Sequence, residues 1–176
     1  MKSTIFAILL MFITASFAAA DYIDDVESMG FISGEGLACG AEKYRAYETI
    51  ARAYLVSSAE SDEQQELGMN KYNEAKARAF LSKRHDGLWD CDETNRRFNA
   101  QKIFGAKLYK NGTLKMPDGK IITPRGDYDA TLLYDSSRNE REELNALYDK
   151  IIEKKRRQAQ REGIYEKIKR AEALSR

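Results

Sequence analysis

The chain is poor in the residues that most often carry chemistry: one histidine, one tryptophan, two cysteines and two prolines in 176 residues. Each scarcity excludes something. His85 and two cysteines supply too few ligands for a zinc site, and a catalytic thiol has no other imidazole to act as its base. Proline stands only at 117 and 124, so long stretches on either side are free to be helical. After residue 20 no apolar run nears the roughly 20 residues of a membrane span. A nucleophile elbow, a phosphate-binding glycine loop and a zinc-protease helix are all missing. No cofactor, metal ligand set or catalytic residue is therefore expected.

Charge of either sign is not in excess. The sequence has 29 Lys+Arg against 28 Asp+Glu, which argues against a general nucleic-acid binder. The balance is uneven along the chain. Residues 21–136 hold 16 basic and 20 acidic side chains, and residues 137–176 hold 12 and 8.

The first residues carry an address. Met1-Lys2-Ser3-Thr4 supplies one positive charge, Ile5 to Phe17 is nearly continuous apolar sequence, and Ala18-Ala19-Ala20 precedes an acidic stretch. That order of charged start, apolar middle and small-residue exit predicts a signal peptide over residues 1–20, cleaved to release an exported chain, periplasmic or secreted. A retained membrane anchor would need a longer apolar run. Export puts Cys39 and Cys91 in an oxidising compartment, where a pair reads as one disulfide.

The expected fold class is mainly α, a small disulfide-tied helical bundle spanning residues 21–135. Residues 21–38, with Gly30, Gly34 and Gly36, read as a flexible lead-in or a short helix and turn. Tyr47, Ile50, Ala51, Tyr54 and Leu55 then repeat at helical spacing. Ser61 to Gln64 reads as a capping box ahead of a buried stripe of Tyr72, Ala75, Ala79 and Phe80. Asp92 is the expected N-cap of a third helix running through Phe98, Ile103 and Phe104. The cysteines would thus tie the starts of the first and third helices. Asn111-Gly112 and Pro117-Asp118-Gly119 are turn signals between short apolar runs, predicting a β-hairpin or three-stranded meander over residues 106–123. Residues 136–176 read as one long C-terminal helix, with a packed first third and a polar remainder broken at Gly163.

Several features invite a functional reading. Lys154, Lys155, Arg156 and Arg157 open a basic run that would suit an anionic envelope surface or an acidic protein, or else is a solvated helix face. Tyr128 and Tyr134 fall in a connector outside the expected core and are candidate partner contacts. His85, Asp86, Asp90, Asp92 and Glu93 are close in sequence but lack the spacing of a calcium loop, so capping and turns account for them. Glu35, between two glycines, would serve glycoside cleavage only with a second carboxyl at a set separation. The function expected is non-enzymatic binding in the cell envelope, in an inhibitory, exclusion or scaffolding role. The alternative is a small cell-wall hydrolase using carboxylates, and self-association through the C-terminal helix is a further option.

Overall fold

A computed structural model of the chain describes residues 3–126, 128 and 139–174, with the side chains of 3–20, 165, 166 and 168–174 outside the description. The described residues form α1 (Ser3–Cys39), α2 (Tyr44–Ser58), α3 (Asp62–His85), α4 (Cys91–Asn99), a 3-10 turn (Lys102–Gly105), β1 (Lys107–Leu108), β2 (Leu114–Lys115), β3 (Ile121–Ile122) and α5 (Glu140–Leu174). They divide into two units, residues 1–138 and 139–176. Among the described residues no helix is long and apolar enough to cross a membrane.

The largest departure from expectation is α1. Residues 21–38 are not a lead-in; they continue a single helix to Cys39. The glycines explain it. Gly30 and Gly34 lie four apart, hence on one helix face. A Cβ at Gly30 would strike the Tyr72 carbonyl oxygen, and one at Gly34 the Lys76 carbonyl oxygen. Small residues at this spacing let two helix backbones approach closely. Glycine inside a helix costs about 1 kcal/mol relative to alanine, and here the close crossing of α1 on α3 offsets it.

The other helices follow their apolar stripes. In α3, Tyr72, Ala75, Ala79 and Phe80 are all buried. Its first turn is capped by the Ser61 hydroxyl, which accepts from the Gln64 amide at 3.1 Å. In α2, Tyr47, Ala51, Tyr54 and Leu55 are buried as the stripe requires. The start of α4 differs from expectation: its N-cap position is Asp90, not Asp92. Asp90 does not cap it, because its carboxylate goes instead to the Lys83 ammonium at 2.6 Å. The helix stops at Asn99, and Ile103 and Phe104 belong to the 3-10 turn. Tyr47, Phe98 and Phe104 meet there with ring centroids 5.0 to 6.1 Å apart.

Cys39 and Cys91 form a disulfide. Because α1 is continuous, the bridge joins the end of α1 to the start of α4 rather than two helix starts. Closing a loop of 52 residues is worth about 4 kcal/mol in the chain-entropy model. A disulfide also points to a non-cytoplasmic environment.

The three strands form an antiparallel sheet in the order β1-β2-β3, as the turn signals require. Lys107 pairs with Lys115 and Leu108 with Leu114; Leu114 pairs with Ile122 and Lys115 with Ile121. One face therefore carries Leu108, Leu114 and Ile122, and the other Lys107, Lys115 and Ile121. Leu114 and Ile122 are buried, and the β1–β2 turn is fastened where the Ser57 hydroxyl of α2 donates to the Gly112 carbonyl at 2.9 Å.

In the second unit, α5 runs without a break through Gly163. One glycine costs a helix of this length too little to interrupt it.

Candidate binding surfaces

One group of charged side chains lies inside the molecule. Glu48 of α2 is fully buried. One carboxylate oxygen accepts from the Ser33 hydroxyl of α1 and, at 2.6 Å, from the Tyr72 hydroxyl of α3. The other faces Arg52 at 3.0 Å and Lys76 at 3.1 Å. Burial alone would raise this carboxyl's pKa, but Lys76, Arg52 and the two hydroxyls outweigh it and hold it below its ordinary value. Tyr72 is pushed the other way, by burial first and then by the Glu48 charge. Both oxygens of the acid are occupied by protein donors, so the cluster leaves no free base or acid. Its role is to lock α1, α2 and α3 at their crossing, where an unpaired acid would be costly.

Glu35 sits at the other side of α1, half-buried. It lines a depression of about 220 Å³ with Phe31, Thr94, Arg97 and Phe98, and no second carboxylate lines it. A neighbouring apolar groove of about 280 Å³ is bordered by Met29, Ile32, Ile103, Met116 and Pro117. His85 and Asp86 are exposed and 3.5 Å apart. Among the described residues no group of three or more His, Cys, Asp or Glu is placed to hold a metal ion. Trp89, 83 % exposed, stands in the loop between α3 and α4.

The residues singled out for partner contact fall in different settings. Tyr128 is half-buried, its ring lies where a Cβ on Gly112 would be, and its hydroxyl oxygen is buried with no hydrogen-bond partner among the described residues. Tyr134 lies outside the described residues. Lys154, Lys155, Arg156 and Arg157 are exposed on α5. Arg157 reaches Glu153 at 2.8 Å and Arg156 approaches it at 3.8 Å. The hydrogen bond from Arg157 holds the Glu153 carboxyl below its ordinary value.

A surface not foreseen from the sequence is the outward face of the sheet. Lys107, Lys115 and Ile121 lie on it by register. Tyr109, Thr113, Lys115 and Ile121 line one shallow depression of about 310 Å³, which places them together. Ile121 is 65 % exposed and Tyr109 50 %. Lys110 and Lys120 stand exposed at the two turns. The signal was available: residues 101–126 contain six basic side chains and one acidic. Summing charge over residues 21–136 buried it under acids located elsewhere.

No protein family, characterised protein or solved structure matches this chain.

Proposed function

We propose that this chain is an exported, non-enzymatic binding protein acting in the cell envelope, in an inhibitory, exclusion or scaffolding role. The observation that carries this reading is the outward sheet face. It presents exposed lysines beside exposed Tyr109 and Ile121, while the buried acid Glu48 is occupied by internal donors. Export rests on the signal pattern of residues 1–20, and the Cys39–Cys91 bridge is in keeping with it. Lys154, Lys155, Arg156 and Arg157 offer a second cationic surface, and Tyr128 and Tyr134 are further candidate partner contacts.

Two measurements test the reading. Cells producing the chain with a C-terminal tag are fractionated, and the expected product is a periplasmic or secreted form lacking residues 1–20 by intact mass. Full-length protein held in the cytoplasm overturns export. The released protein is then incubated with purified peptidoglycan beside Glu35→Gln. No fragments are expected from either; fragments released by the wild type alone would overturn the non-enzymatic reading in favour of a carboxylate hydrolase.

A further inference from the structure

We infer that the outward face of the three-stranded sheet docks on an anionic phospholipid bilayer, an inference that rests on the reading of the chain as an envelope binding protein and names its partner. The first ground is electrostatic. Lys107 and Lys115 are directly opposite in the antiparallel register, and like charges so placed destabilise a sheet. Lys110 and Lys120 add to the same charge at the turns, and none of the four forms an ion pair with a described residue. Several cations elsewhere in the same unit are paired instead. Arg78 pairs with Glu27, Lys83 with Asp90, Arg96 with Glu93 and Arg125 with Asp62. A face that keeps its lysines together and unpaired is complementary to external anions.

The second ground is the mixture on that face. Tyr109 and Ile121 are half or more exposed amid the lysines. Lysine stems lie along apolar surface while their ammonium groups reach outward, and tyrosine favours the headgroup level of a bilayer. Ile121 has no role against a nucleic-acid backbone, but it has one against acyl chains just below the headgroups.

Size decides between a lipid surface and an acidic protein. Three strands about 4.8 Å apart and two residues long each give a face of roughly 100 Å². A specific protein interface takes about 800 Å² from each partner. A bilayer needs neither that area nor shape complementarity, and attraction to anionic lipid adds up lysine by lysine. The face is also held firmly from behind, by buried Leu114 and Ile122 and by the Ser57–Gly112 hydrogen bond.

The test is co-sedimentation of the released protein with phosphatidylcholine vesicles and with vesicles of phosphatidylcholine and phosphatidylglycerol in equal parts. Binding is expected to the mixed vesicles, to weaken as salt is raised, and to be near background on phosphatidylcholine. Each lysine near an anionic surface changes partitioning roughly fivefold, so Lys107→Gln/Lys115→Gln should lose roughly 25-fold. Lys154→Gln/Lys155→Gln, in the second cationic surface, should lose less than the sheet pair. Thermal unfolding followed by circular dichroism checks that both variants remain folded. Wild-type binding by the sheet variant, or loss only in the α5 variant, overturns the inference, and so does equal binding to both vesicles. If the protein is exported yet sediments with neither vesicle and is retained by an envelope protein or peptidoglycan, the lipid assignment fails while the binding reading stands. Retention in the cytoplasm would end both.

Discussion

The helix crossing around Glu48 and the outward sheet face both gather cations, and they do so in opposite ways. At the crossing, Arg52 and Lys76 surround one carboxylate in a dry interior. On the sheet, Lys107 faces Lys115 across a ladder in water, with Tyr109 and Ile121 beside them. In the first, both cations find their acid inside the fold, and the cluster fixes three helices to one another. The second is open, gains nothing from its own fold, and is completed only by something outside it. Charge that the fold neutralises holds the structure together; charge that it leaves exposed and crowded is available for binding.

The largest expected effect comes from opening the closed site. Glu48→Ala leaves Lys76 buried without its acid, and Ser33 and Tyr72 without their acceptor. Removing one partner of a buried ion pair costs about 3–5 kcal/mol. Urea denaturation should show the loss as a lower midpoint. A midpoint within experimental error of wild type would mean that the cluster does not lock the crossing.

The same site also sets an acid limit on stability. The Glu48 carboxyl is held below its ordinary value in the folded state. Its contribution is therefore fully present above the unfolded carboxyl pKa of about 4.3 and is lost as pH falls through the depressed folded value. Glu48→Gln removes that titration. Its unfolding midpoint should depend less on pH below about 4.3 than that of wild type, and parallel curves would break the assignment.

How much of this was legible in the sequence depended on whether partners lie close along the chain. Arg52 is four residues from Glu48 and on the same helix, but Ser33, Tyr72 and Lys76 meet it only through tertiary folding. The stripes of α2 and α3, the capping by Ser61, the disulfide and the meander were all readable, because each is local or has a single pairing. The continuation of α1 was not read, since glycine signals flexibility in isolation and close approach only when its neighbour is known. The spacing Gly30-Phe31-Ile32-Ser33-Gly34 was the available clue. The sheet lysines were missed for a different reason. They are spread over residues 107–120, and only the register of the strands sets Lys107 beside Lys115.

An intermediate effect tests that lesson about glycine. Gly34→Ala adds one methyl group against the Lys76 carbonyl oxygen and the Ala79 side chain. Helix propensity favours the change by about 1 kcal/mol, yet overpacking against backbone costs typically 1–3 kcal/mol. Net destabilisation is expected, measured as a lower melting temperature. A gain in stability would show that the glycine serves no close crossing.

The smallest effect has the opposite sign and bears most directly on the open surface. Lys115→Gln removes a like-charge neighbour from Lys107 without disturbing Leu114 or Ile122 behind it. Cross-strand charge pairs are worth roughly 0.2–1 kcal/mol, so the variant should be as stable as wild type or slightly more so. Its partitioning onto anionic vesicles should meanwhile fall roughly fivefold. The two readouts moving apart is what separates a binding lysine from a structural one. A structural lysine, like Lys76 at the crossing, would lose stability on the same substitution. If Lys115→Gln lowers the unfolding midpoint and leaves vesicle binding intact, the sheet face belongs with the closed site, and the contrast between the two regions disappears.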